Sequence, residues 1–161
     1  MEQQGIAWYL FVGYYVFVVK RMWENNMQHE LEPRAALDYV LAGHGKATLV
    51  GAETRYTYKF GKSEDSKLIF VKVLTGSNNE TDYTYIGFIN PHWEMVAGRK
   101  GNAAHGAFKA LAWYVYKACN APEVAAKAQF LHEGVCGKCG RTLTTPESIA
   151  RGIGPVCWEM M

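Results

Sequence analysis

Four residues carry the clearest chemistry in this chain. They are His132, Cys136, Cys139 and Cys157, spaced H-x3-C-x2-C-x17-C. Thiolate and imidazole are the donors that a tetrahedral zinc ion takes, and two cysteines separated by two residues converge on one ion from a tight turn. Gly137 and Gly140 stand within and directly after that pair, where a turn needs backbone freedom. The following segment must bring Cys157 back to the turn. Thr145-Pro146-Glu147-Ser148 has the residues of a helix start: Thr as N-cap, Pro in the first position, an acid in the first turn. Gly152 is placed to end that short helix. Gly154-Pro155 opens another and sets Cys157 in its first turn, where the positive helix end favours thiolate.

Four-coordination needs one more donor. His132 is the preferred candidate, because it can fold back onto the ion from four residues upstream. Cys119 is the alternative, but it falls on the apolar stripe of a helix and reads as a small buried residue. With His132 the set closes as Cys3His and leaves no position for water, so one zinc ion there is structural rather than catalytic. A redox C-x2-C pair or unrelated free thiols are the competing readings, and the turn, cap and third-cysteine arrangement speaks against both.

The stretch "CGKCGRTLTTPESIARGIGPVCWE", from Cys136 onward, resembles the signature of a bacterial and phage family catalogued as a domain of unknown function. Upstream, "LAGHGKATLV", "RYTYKF" and "FVKVLTGSNNETDYTYIGFI" look like the strand region that accompanies this motif in phage proteins. The resemblance implies zinc and a phage or mobile-element context, and it implies no established activity. Arg141, Pro146, Ser148, Gly152, Gly154 and Pro155 match the motif.

Other elements must position these residues. Residues 3–19 carry no charge, and a helix of that length is roughly 26 Å long, short for a bilayer span. Trp23, Met27 and Leu31 then repeat every four residues, as on an amphipathic helix. The first 31 residues therefore read as one long helix buried in the core or in a partner. A membrane anchor is the minority alternative. Glu32-Pro33 opens a second helix with Leu37, Val40 and Leu41 on its apolar face and Gly43 as its stop. Residues 47–50, 55–60, 67–74 and 82–89 have the composition of strands, separated by turn-forming breaks, which predicts an antiparallel meander. Phe108, Leu111, Ala112, Val115 and Cys119 form the stripe of a covering helix over about 103–119, and a further helix is expected from Pro122 to Leu131. The expected fold class is α+β: an antiparallel β-meander packed with helices, plus a small C-terminal treble-clef-like zinc knuckle. The expected division is an N-terminal helix over 1–31, an α+β body over 32–131 and a zinc module over 132–161.

Net charge is only +2, too small to argue nucleic-acid binding from bulk electrostatics. Local features still suggest it. Arg99, Lys100, Lys138 and Arg141 are candidate phosphate contacts, the first two beside a helix start. Tyr56 and Tyr58 share one strand face, and Tyr83 and Tyr85 share another. If exposed, they could stack bases; if covered, they are core. His44, His92 and His105 are scattered, without a nucleophile and base at a recognisable spacing, so the reading leans away from an enzyme. The leading expectation is a phage-type accessory protein that docks on a protein partner, with nucleic-acid binding as the alternative. No secretory signal is evident, and a C-x2-C with a distant third cysteine points to a reducing, host-cytosol compartment.

Overall fold

A computed structural model describes residues 28–161. The described part is α+β. Its seven strands are β1 (His29–Leu31), β2 (Lys46–Val50), β3 (Arg55–Lys62), β4 (Ile69–Leu74), β5 (Tyr83–Ile89), β6 (Met95–Val96) and β7 (Gln129–His132). They form one sheet in the order β1-β7-β2-β3-β4-β5-β6, and every pairing is antiparallel. The helices are α1 (Pro33–Ala42), α2 (Gly106–Asn120), α3 (Pro122–Ala125), α4 (Pro146–Arg151) and α5 (Pro155–Glu159).

The run β2 to β5 is the expected meander, because short polar breaks favour pairing between neighbours in the chain, and β6 extends it. Helices α1 and α2 pack against one face of the sheet. Leu49, Tyr58, Phe60, Val71, Val73, Ile86 and Phe130 point into that core and meet Leu37 and Val40 of α1 and Leu111 and Val115 of α2. The side-chain period of two puts the alternate residues on the opposite face, which no described helix covers. A register shift breaks the period in β5: Val71 faces Gly87, Lys72 faces Tyr85, and Ile86 is the extra residue.

That bulge and the alternation sort the four tyrosines. Tyr58 is fully buried under α2 and donates a hydrogen bond to Ala107 O at 2.7 Å. Tyr56 is half-buried against the same core. Neither forms a stacking platform. Tyr83 and Tyr85 lie on the other face, where each is partly exposed.

Several expectations need correction. Leu31 is in strand β1, not on a helix, because His29–Leu31 pair with Phe130–His132; the rest of the expected first helix lies outside the described residues. The helix from Pro122 ends at Ala125, and Gln129–His132 form β7 between β1 and β2, where Phe130 fills the core. Leu41 is exposed, and α1 buries Tyr39 and Ala42 instead. On α2 the buried face runs through Ala107, Phe108, Leu111, Tyr114, Val115 and Ala118. Cys119 is turned off it and exposed, so it is not the core residue expected. No described helix is long and apolar enough to cross a membrane, and residues 3–19 lie outside that search.

Tyr39 joins this body to the C-terminal segment. Its ring is fully buried and sits 6.2 Å from the Phe130 ring and 5.6 Å from that of His132, while its hydroxyl donates to Lys46 O at 2.9 Å. Gly45, Gly137 and Gly152 all press against it, and a Cβ would lie 2.7 Å from the ring at Gly137 and 2.6 Å at Gly152. Gly137 does not have a positive φ, so its requirement is space alone. Gly137→Ala should therefore destabilise the fold by about 1–3 kcal/mol, the usual cost of overpacking a rigid site. Chemical denaturation measures it. An unchanged midpoint would show that the ring has room to move.

Candidate metal centre

The C-terminal segment is built from a small hairpin and two short helices. Val135 bridges Thr142, Cys136 N–H donates to Arg141 O at 2.8 Å, and Gly140 N–H closes the turn onto Cys136 O at 2.9 Å. This knuckle carries Cys136 and Cys139. Helix α4 starts as its residues dictate: Thr145 caps it by accepting from Ser148 N–H at 3.3 Å, Pro146 follows, and Gly152 ends it in the left-handed conformation. Gly154 then caps α5, and Cys157 falls in its first turn.

The result is convergence. One donor sulfur from each of Cys136, Cys139 and Cys157 lies within 4.8 Å of the other two, the cluster expected of a shared metal ion. Cys136 and Cys157 are buried and Cys139 is exposed. Ala42, Leu143 and Ile153 pack around them as a second, separate apolar cluster. All three cysteines border one cavity of about 410 Å³.

The thiols are electrostatically unequal. Burial opposes ionisation of Cys136, yet N–H donors from Gly154, Cys139 and Lys138 together outweigh it and bring that thiol down to about 7. The Gly154 N–H lies 3.3 Å from the sulfur. Cys157 goes the other way, pushed up to about 11 by burial and by the neighbouring Cys139 and Cys136 sulfurs. Three sulfurs this close cannot all carry charge unless a cation stands between them. Without a cation, burial and the two neighbouring sulfurs outweigh the pull of a five-residue helix on Cys157.

His132 is not brought to the cluster, which corrects its expected place as fourth ligand. It is the last residue of β7, fully buried, and both ring nitrogens are engaged. Nδ1 accepts from Gly134 N–H at 3.1 Å, which leaves Nε2–H to donate to Ile149 O at 2.8 Å. The ring is a tether from β7 to α4. Cys119 lies on the distant helix α2 and is not part of the cluster either.

The basic candidates do not form one patch with the aromatic ones. Arg141 is exposed and borders the cavity, and Lys138 is half-buried in the knuckle turn. Arg99 and Lys100 occupy a turn after β6 and do not flank the helix start, which is Gly106. There His105 provides the cap, its Nδ1 accepting from Ala107 N–H at 3.0 Å. Tyr39 went unremarked in the sequence. Its only trace there is three glycines with no turn of their own to explain all of them.

A small α+β body locked to a three-cysteine knuckle is the class of protein that these features define. Residues 126–161 match the model of a family described as a family of unknown function (DUF6011). No curated protein and no solved structure matches the chain.

Two outcomes follow from this geometry. Cys136→Ser or Cys157→Ser should abolish stoichiometric metal binding, whereas His132→Gln should keep one metal per chain; elemental analysis of the purified variants decides, and metal loss in His132→Gln would restore the histidine as a ligand. The pH dependence is also signed. Burial, and the adjacent His29 beyond it, lower the His132 pKa against the opposing effect of the Ile149 carbonyl. The unfolded chain therefore takes up a proton first as pH falls below about 6.5, and stability drops there. The stability gap between the native sequence and His132→Gln should narrow from pH 7 downward, read from denaturation midpoints at each pH, and a gap that widens would contradict a buried neutral ring.

Proposed function

We propose that this chain is a non-enzymatic, zinc-stabilised binding protein of phage type, and that the sheet face that no described helix covers takes single-stranded nucleic acid. Zinc is the ion that a cysteine knuckle plus a third cysteine on a helix suits best. Two of the five histidines already serve structure, His105 as a helix cap and His132 as a tether, which supports a binding role over catalysis.

One observation carries the nucleic-acid reading. Lys46, Lys59 and Lys72 stand directly opposite one another across β2, β3 and β4, and Tyr85 continues the row on β5. Like charges in directly opposed positions repel and weaken a sheet. Glu80 pairs with Lys46 at 2.8 Å, and the Tyr83 ring lies under Lys46 and Lys59. Among the described residues no carboxylate pairs with Lys59 or Lys72. Phe70 and Tyr85 form an aromatic pair on the same face, and Phe88 stands opposite Phe70. A lysine row beside exposed rings matches a strand of phosphates whose bases stack on the aromatics.

A second reading has its own support. Val156 and Met160 are 66% and 64% exposed beside the cysteine cavity, an apolar rim that fits docking on a protein partner.

Fluorescence anisotropy with labelled single-stranded oligonucleotides separates the two. The expected result is binding whose logarithm falls with the logarithm of salt with a slope near −1.4, as roughly two phosphate contacts, from Lys59 and Lys72, require. Lys59→Ala with Lys72→Ala should flatten that slope. Tyr85→Ala should weaken binding by about 1–3 kcal/mol per stacked base. No salt-dependent binding at low ionic strength, alongside a nuclease-resistant protein complex in the native host, would leave the docking reading in its place.

A further inference from the structure

We infer that the cavity between the end of α1, the β3–β4 turn and the β5–β6 turn is a ligand site, and that its ligand is a small organic anion built on one aromatic ring. This site is independent of the nucleic-acid reading. Lys62 and Ile69, paired at this end of β3 and β4, alternate with Gly61 and Phe70 and so lie on the helix-covered side of the sheet, away from the lysine row.

Two departures from a local rule meet at this place. Each turn ends on a residue in the left-handed region, Lys67 at φ 55° and Trp93 at φ 62°. Among the described residues these two alone have a positive φ without being glycine. Ser63 N–H donates to Leu68 O at 2.8 Å across the first turn, and Asn90 N–H donates to Glu94 O at 3.0 Å across the second. Glycine suits such a position, because a Cβ is strained there, most of all on a bulky side chain. Both turns keep a large side chain in spite of that strain, and both side chains line one cavity. Strain of this kind collects at ligand clamps, where the side chain contributes more than a relaxed backbone would.

The lining selects the ligand. The cavity holds about 240 Å³, several times the roughly 30 Å³ share of one water and below the range of drug-sized pockets, so it fits a single ring with its headgroup. Leu41, Ile69, Pro91 and Trp93 give it apolar walls, and a flat ring can stack on the indole. Lys62 and Lys67 give it two positive charges, and no carboxylate among the described residues lines it. Glu64 and Asp65 are exposed in the β3–β4 turn and form no ion pair with either lysine, while Glu94 accepts from Asn90 Nδ2 at 2.9 Å. Lys62 is held in place. Its N–H donates to Gly43 O at 2.7 Å, its stem crosses Gly43 where a Cβ would collide with it, and its Nζ donates to Leu41 O at 3.3 Å. An ammonium has three donors, so two remain for an anion. Asn90 borders the cavity with its Oδ1 engaged by the N–H groups of His92 and Glu94, so it shapes the wall and fixes the turn that carries Trp93. His92 is exposed and outside the lining.

Nitrogen-15 NMR of the full chain tests this, with benzoate and phenyl phosphate as probes. Either anion should shift the Trp93 indole N–H, identified by its loss in Trp93→Phe, together with the Lys67 and Asn90 amides, and the shifts should saturate. Benzyl alcohol, which keeps the ring without the charge, and acetate, which keeps the charge without the ring, should each bind at least about tenfold more weakly. Lys62→Met with Lys67→Met should weaken benzoate by at least about tenfold, the loss expected for charge-assisted hydrogen bonds. Lys67→Gly should weaken it too, yet leave the denaturation midpoint at or above that of the native sequence, because it relieves the left-handed lysine. Lys59→Ala with Lys72→Ala should leave benzoate binding unchanged, which separates this site from the lysine row. No saturable shift with either anion would overturn the site, as would shifts centred on Lys59 and Lys72. Benzyl alcohol binding as well as benzoate would overturn the role of the lysines. Acetate binding as well as benzoate would reduce the site to an adventitious ion only. A lowered midpoint in Lys67→Gly would overturn the argument from strain.

Discussion

The contact on which the rest of the structure depends is the buried ring of Tyr39. It touches the body through Phe130 and through its hydrogen bond to Lys46 O. It touches the C-terminal segment through Gly137 in the knuckle and Gly152 at the end of α4. Both glycines are also tied by backbone, with His44 N–H donating to Gly137 O and Gly137 N–H donating to Gly152 O, each at 2.9 Å. A phenol ring packed against three glycine backbones leaves no lateral freedom, so the knuckle has one seating on the body. His132 repeats the logic a few ångströms away, with its ring tilted against that of Tyr39 and bonded to Ile149 O. Two rings, one from α1 and one from β7, thus fix where α4 begins the return toward Cys157.

That seating has an electrostatic consequence. Bringing three sulfurs within 4.8 Å of one another is unfavourable for ionised thiols, and that crowding adds to burial in pushing the Cys157 thiol up to about 11. Without a cation, backbone N–H donors bring the Cys136 thiol down to about 7 against its burial. A metal ion turns the same crowding into attraction, since coordinated thiols lose their protons. Metal and fold would be linked through the same few residues: an ion held by the three cysteines would tie the knuckle to α5, and Tyr39 ties the knuckle to the sheet.

Much of this was legible in the sequence because it is local. The start of α4 at Thr145-Pro146, its glycine stop, the cap before Pro155 and the convergence of Cys136, Cys139 and Cys157 each follow from residue types a few positions apart. The meander was legible for the same reason. What escaped is non-local. Residues 122–131 look helical, yet Gln129–His132 gain a strand partner on each side and Phe130 gains the core, and that outweighs local preference. The two faces of a strand cannot be told apart by alternation alone, so Tyr58 and Tyr85 look alike until a helix covers one of them. His132 at four residues from Cys136 suggests a ligand. Only the sheet reveals that its ring nitrogens are already taken.

The central claim is that the metal knuckle and the sheet body form one cooperative unit through Tyr39. Hydrogen exchange of the full chain, with metal and after chelation, measures this most directly. The account predicts that chelation lowers protection across residues 134–161 and also along α1 and in β2, whose Lys46 carbonyl receives the Tyr39 hydroxyl. Lost protection confined to residues 134–161, with α1 and β2 unchanged, would contradict it.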